Sequence, residues 1–162
     1  MATNSLSSIV NKISAQPKEI SSLQLSSMFG ETIKFFGRAG IQVESLDVNN
    51  AILKLENTET VQNHIGGIHA AATALLGESA TGFLVGMHVP DNRMSLLKSM
   101  NINYIRRADG DLKAIASLTE TQISDIKNTD KGDTAVKVII TDSAGNNPVD
   151  AEFIWAWVPK KK

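Results

Sequence analysis

Asn63 to Gly86 reads NHIGGIHAAATALLGESATGFLVG, and this stretch decides the fold. Its alanines and leucines favour a helix over roughly 67–87, but Gly77, Gly82 and Gly86 each cost about 1 kcal/mol relative to alanine. That cost is explained if neighbouring elements pack very close to the helix on several sides. Ala70, Ala71, Ala72, Ala74 and Ala80 point the same way. The stretch predicts a long, buried central helix. Glu78 stands in its middle. A buried carboxylate must be paired, neutralised or functional; on an exposed side of the helix it would be solvated.

Working outward, residues 1–17 are polar, end at Pro17 and are expected to be a flexible N-terminal segment. Ile20, Leu23, Met28, Ile33 and Phe36 recur at spacings of three to five and predict a helix over 18–36, with Gly30 as a break. Ile41–Val48 and Asn50–Leu55 read as two strands joined by a turn at 47–50. Beyond the central helix, strands are expected at Ser99–Arg106, Leu112–Gln122, Thr134–Thr141 and Val149–Val158, the last with Phe153, Trp155 and Trp157 in period two. A polar break covers 124–133. Consecutive strands with short turns pair antiparallel. The order is helix, two strands, long helix, four strands, which gives an α+β fold. A sheet curled around the helix would explain its small residues and leave a half-apolar outer face in need of a partner.

A chain of 162 residues corresponds to one domain, expected over 18–159 and followed by a basic tail at 160–162. It contains no cysteine, which removes disulfides, thiolate nucleophiles and cysteine-ligated metal sites. Sixteen basic residues against 17 acidic ones leave a charge of −1, without the basic excess of a general nucleic-acid binder. The first five residues carry no basic n-region, and no long apolar run follows. The most apolar stretch, 68–89, is interrupted by Glu78 and three glycines, short of the roughly 20 apolar residues of a membrane span. A cytoplasmic protein is expected, with neither nucleic acid nor membrane as partner.

The chemistry concentrates just before the helix. A helix N-terminus offers unpaired N–H groups and partial positive charge, and no Ser, Thr or Asp precedes Ile68 to cap them. Such donors suit an oxyanion or a polarised carbonyl, although Gly66-Gly67 also fits a loop that merely turns. His64 and His69 are five apart, off the i, i+4 spacing of helical zinc pairs, so no metal is expected. His69 and Glu78 are nine apart. At 100° per residue they point to opposite sides of a regular helix, about 13 Å apart along its axis. Two such helices running antiparallel across a two-fold axis would bring Glu78 of one copy toward His69 of the other.

Asn63-x-x-Gly66-x-x-His69-Ala70-Ala71, with an acid nine residues after the histidine, resembles the motif of hotdog-fold acyl-CoA thioesterases, the phenylacetyl-CoA thioesterase-like group in particular. Ile102-Asn103-Tyr104 and Gly110-Asp111-Leu112 extend the likeness, which runs from about Phe36 to Trp157 and also reaches hotdog domains of unassigned substrate. The resemblance implies an antiparallel sheet of about six strands wrapped around the central helix, in a dimer or dimer of dimers with sites at the interface. It implies that Gly66 or Gly67 N–H polarises the thioester carbonyl and that Asn63 and His69 orient thioester or water. Glu78 of the other copy would be general base or nucleophile. His64, Thr81 and Arg106 become candidate substrate contacts, with Arg107, Lys98 and Arg93 as further candidates for phosphate. No cofactor is implied beyond the coenzyme A of the substrate. The motif departs from the family in having Ala70-Ala71 for a glycine pair and Glu78 for the commoner Asp. A non-catalytic acyl-thioester or fatty-acyl binding protein is the alternative, and another reaction on this fold, such as a dehydratase, is a third.

Overall fold

The computed structural model describes residues 3–161; Met1 and Ala2 of the expected flexible segment and Lys162 of the basic tail lie outside the described residues. The chain runs α1 (Ser5–Ser14), α2 (Lys18–Thr32), α3 (Lys34–Ala39), β1 (Gln42–Leu46), β2 (Asn50–Leu55), α4 (Ala70–Gly86), β3 (Arg93–Tyr104), β4 (Leu112–Ser117), α5 (Glu120–Asn128), β5 (Gly132–Asp142) and β6 (Val149–Pro159). The strands form one antiparallel sheet in the order β1-β2-β4-β5-β6-β3. The sheet wraps α4, as the small residues of that helix require. A Cβ at Gly77 would come within 2.7 Å of the Phe153 ring, and one at Gly82 within 2.5 Å of Trp155. Glycine at these two positions lets the period-two aromatics of β6 lie directly against the helix backbone.

On the flank of α4 that the sheet leaves open, α2 and α3 supply an aromatic cluster. Phe29 stacks on Phe83 with centroids 3.8 Å apart, and Phe36 meets Phe83 edge-on at 5.1 Å. Burying a phenylalanine contributes about 1.5–3 kcal/mol, so this cluster fixes how α2 and α3 sit. The helix expected over 18–36 does not break at Gly30. It runs through to Thr32 and restarts at Lys34, because Ile33 is extended (φ −112°, ψ 93°).

The segment expected to be flexible is helical over Ser5–Ser14. Asn4 is the reason. Its Oδ1 accepts from the Ser7 N–H at 2.6 Å, capping α1, while Nδ2 donates to Gly86 O at 2.8 Å and Val89 O at 2.7 Å. Val10 is then fully buried. Thus α1 is tied to the C-terminal end of α4.

Three other boundaries differ from the sequence reading. The central helix starts at Ala70, because Gln62 and Ile68 form a bridge that holds Gly66-Gly67 in a loop. The strand expected from Ser99 begins at Arg93; a bulge between Leu97 and Ser99 breaks the period-two pattern. The Leu112–Gln122 strand ends at Ser117, and α5 fills part of the expected polar break. The signal for α5 was Thr119-x-x-Gln122, a capping box whose two reciprocal bonds form.

β5 divides its pairing. Gly132–Val136 pairs with β6, and Lys137–Asp142 pairs with β4. At the far margin, the outer edge of β3 is open and carries exposed Met94, Leu96 and Met100. On the outer sheet face Ile52, Ile115 and Ile139 line up across β2, β4 and β5, with Ile115 and Ile139 exposed.

Candidate active site

The loop before α4 is held chiefly by Asn63, with Asn57 Nδ2 donating to Gly66 O at 3.1 Å. The Asn63 Oδ1 accepts from the N–H groups of Ile65 (3.0 Å) and Gly67 (3.2 Å), while the Asn63 carbonyl accepts from the Gly66 N–H (3.1 Å). The Gly66 and Gly67 donors, expected to face a substrate carbonyl, are therefore engaged inside the loop. Two acceptor bonds at Oδ1 leave the Asn63 Nδ2 directed elsewhere, and among the described residues it donates to none.

His69 caps α4. Its Nδ1 accepts from the Ala71 N–H at 3.0 Å, and its carbonyl accepts from the Ala72 and Thr73 N–H groups. In the neutral ring the proton then sits on Nε2, a donor on an exposed side chain. The helix start is capped after all, by histidine. Of its backbone donors, the N–H of Ala70 finds no acceptor among the described residues. It lies on the exposed surface at the positive end of α4, a suitable place for a developing oxyanion.

A cavity of about 480 Å³ opens beside this helix start, bordered by Asn63, Gly67, Ala70, Tyr104, Arg106 and Arg107. Tyr104 was missed as a site residue in the sequence, since its direction depends on the register of β3. Its hydroxyl donates to Ala70 O at 2.6 Å, and burial raises its pKa. Arg107 donates to Ile65 O at 3.1 Å, and both Arg106 and Arg107 are exposed cations at the cavity.

The other candidate cations are engaged elsewhere. Lys98 pairs with Asp133 at 2.6 Å. Arg93 is buried and donates to the carbonyls of Ile126, Lys127 and Thr129, tying the end of α5 to the start of β3. Thr81, a candidate substrate contact, is fully buried. Its hydroxyl lies within bonding distance of the Gly77 and Glu78 carbonyls and accepts from the Trp155 Nε1–H at 2.8 Å. The hydroxyl is thus engaged inside the core and borders neither this cavity nor the one at Glu78. His64 is exposed and likewise borders neither cavity.

Glu78 lies on another flank of α4. It is partly buried, and desolvation pushes its carboxyl above the ordinary value of 4.5; the Ser79 hydroxyl, 3.5 Å away, opposes this weakly. Among the described residues no cation pairs with it. It borders a second cavity, of about 550 Å³, whose walls come largely from α1, α2 and α4. One chain thus brings Asn63, Ala70 and Arg106 to one cavity at the helix start, with His69 next to it as the cap of α4 though not in its lining, and sets Glu78 at a different cavity.

Residues 22–158 match the family described as Domain of unknown function (DUF4442). The chain belongs to the DUF4442 family. Solved structures show how the family's segment folds here. PA5026 of Pseudomonas aeruginosa, described as a protein of unknown function and probable thioesterase, superposes with a TM-score of 0.75 at 23% identity, over 90% of this chain and 97% of its own. HI1161 of Haemophilus influenzae, described as a thioesterase, gives 0.68 at 11% identity over 89% and 92%. SAV0944 of Staphylococcus aureus, described as a thioesterase enzyme in one structure, gives 0.67 at 18% identity over 78% and 99%. It was solved as two alanine variants, one of a glutamine and one of a glutamate fifteen residues further on. No curated protein matches the chain. The fold of this DUF4442 member is the hotdog fold. None of its helices, among the described residues, is long and apolar enough to cross a membrane.

Proposed function

We propose that this chain is a thioester hydrolase acting on acyl-CoA, with each site shared between two copies. The observation that carries the reading is the division of the constellation along α4. The oriented donors stand at its N-terminus, and the unpaired, desolvated carboxylate stands nine residues on, facing another way. A two-fold axis that sets two α4 helices antiparallel completes the set. The open edge of β3, with Met94, Leu96 and Met100 exposed along it, supports such pairing in a dimer or dimer of dimers. Asn63 and Glu78 are also fifteen apart, the spacing of the two positions replaced in SAV0944.

In this reading the thioester oxygen lies against the Ala70 N–H, and the His69 Nε2–H and Asn63 Nδ2–H hold the thioester. Glu78 of the other copy removes a proton from water as the water oxygen adds to the carbonyl carbon. The tetrahedral oxyanion is stabilised at Ala70, a donor of a kind that supplies about 10²–10³ in kcat. The C–S bond then breaks, and the proton held by Glu78 passes to the departing thiolate. A carboxylate whose pKa is raised is the stronger base, and general-base assistance contributes about 10²–10⁴. Arg106 and Arg107 are the cations at this cavity available to a CoA phosphate. An acyl-CoA substrate agrees with the cytoplasmic location expected from the sequence.

The test is thiol release from a panel of acyl-CoA substrates by the parent and by Glu78→Gln. Hydrolysis of at least one substrate, falling a hundredfold or more in the variant, is expected. No hydrolysis across the panel, or an unimpaired variant, overturns the proposal.

A further inference from the structure

The cavity at Glu78 has a shape that the chemistry of hydrolysis does not by itself require. Its lining follows one stripe of α4, from Glu78 past Gly82, where the Trp155 ring takes the space a side chain would fill, to Gly86. Ile9 of α1 and Met28 and Ile33 of the α2 region form the roof, with Phe83 as a side wall. At the far end Leu6 packs on Gly86, where an added Cβ would lie 3.2 Å from its Cδ2. Apart from Glu78, no charged side chain among the described residues borders the groove. Ile9 is 48% exposed and Ile33 39%, so apolar surface stands open where a chain would lie. The residues of α1 fall outside the 22–158 segment matched by the family.

We infer that this groove holds the acyl chain of the substrate, that the chain is a medium-length aliphatic one, and that Leu6, Ile9 and Ile33 set its length. The inference rests on the reading of Glu78 as the hydrolytic base, because the carbonyl must then sit at the Glu78 end with the chain running toward Gly86. Eight helical residues separate the two ends, which is about 12 Å of axis. An extended chain advances about 1.2 Å per bond, by analogy with ~3.3–3.6 Å per three-bond residue. The groove therefore takes about ten carbons. A volume of about 550 Å³ lies within the usual range for small-molecule sites, about 300–1,000 Å³. An apolar lining without a second charge excludes dicarboxylic acyl groups such as malonyl or succinyl, whose far carboxylate would be desolvated without a partner.

The test is a series of straight-chain acyl-CoA thioesters from two to sixteen carbons, hydrolysed by the parent and by Ile9→Trp. Each buried methylene is worth about fourfold in kcat/KM, so the parent profile should climb steeply and level off near ten carbons. Ile9→Trp fills the roof and should lower the decanoyl-to-butyryl ratio of kcat/KM about tenfold or more. A ratio taken within one protein is insensitive to the fraction folded. In parallel, binding of 1-decanol, which carries the same chain without a charge, is measured by calorimetry, which needs no catalysis. A flat chain-length profile, or an unchanged ratio in Ile9→Trp, overturns the groove assignment while leaving hydrolysis standing. Decanol binding that weakens tenfold in Ile9→Trp, in a protein that cleaves none of the thioesters, supports the groove and overturns the hydrolase reading. Absence of saturable decanol binding overturns the groove.

Discussion

The division of the site between two copies predicts that two inactive variants restore each other. The pair is chosen from the local structure. His69→Asn keeps a side-chain acceptor at the start of α4, because asparagine is a good N-cap, but removes the Nε2–H donor. Glu78→Gln keeps the volume of the side chain and removes the base. Asn63→Ala is a poorer choice, since the Oδ1 of Asn63 holds two loop N–H groups and its loss would disturb the loop itself. In a dimer of either variant every site lacks one group. The Glu78→Gln dimer should retain about 1% of parental activity or less, the scale of a lost general base. Loss of one donor to the thioester in the His69→Asn dimer is of similar order.

In a mixed dimer one site carries both lesions and the other none. Random exchange of equal amounts makes half of the dimers mixed, each with one whole site of two. About a quarter of parental activity should return, roughly 25-fold above either variant alone. The assay is thiol release at saturating acyl-CoA after incubation under exchange conditions, with mixed dimers counted by native mass spectrometry. Activity that stays near 1% when half the dimers are mixed refutes the shared site, and with it the inference drawn from the nine-residue spacing on α4.

Three further outcomes follow from the geometry. Burial raises the Glu78 pKa in the folded state above 4.5, so the folded form binds the proton more tightly than the unfolded one. Its stabilisation is complete below pH 4.5 and is lost as pH rises through the folded pKa. Glu78→Gln should accordingly raise Tm at pH 7 but not at pH 4, and an equal shift at both would contradict the desolvation argument. Gly77→Ala forces a Cβ to within 2.7 Å of Phe153. Overpacking of about 1–3 kcal/mol should outweigh the ~1 kcal/mol gain in helix propensity, so urea denaturation should show a net loss, and a stabilised variant would show that Phe153 can move aside. Thr81→Val strands the Trp155 indole N–H and should cost about 1–3 kcal/mol with kcat unchanged, whereas a large fall in kcat would return Thr81 to the substrate.

Much of the fold could be read from α4 alone, because glycines in a helix carry a cost that only close packing explains, and the rings of Phe153 and Trp155 supply that packing. The strand count followed from period-two patterns, but the pairing of consecutive strands did not hold throughout: β3 lies against β6 at the sheet margin, while β4, next in sequence, pairs with β2. The period-two pattern was lost where the Leu97/Ser99 bulge shifts the phase of β3. The helical state of the first residues was hidden because it depends on Asn4 reaching carbonyls more than eighty residues away. The separation of His69 from Glu78 was legible, since helical geometry is fixed. The loop donors could not be judged from spacing: the Gly66 and Gly67 N–H groups are bonded within the loop, and the one left without an acceptor among the described residues is that of Ala70. A backbone N–H is free only if nothing nearby accepts from it, and the side chain of Asn63 turns back to take the Gly67 N–H, an interaction that spacing does not reveal.

The divided pairing of β5 has a consequence for how the molecule comes apart. With Gly132–Val136 bonded to β6 and Lys137–Asp142 bonded to β4, this one strand is the hydrogen-bonded seam between a β1-β2-β4 ribbon and a β3-β6 ribbon. Either ribbon can fray from its own free margin without disturbing the other. Opening the seam, however, separates the sheet into two halves held together only by what α4 and the flanking helices bury between them. The slowest-exchanging amides of the sheet should therefore gather around Val136, in the short reach where β5 passes from one neighbour to the other.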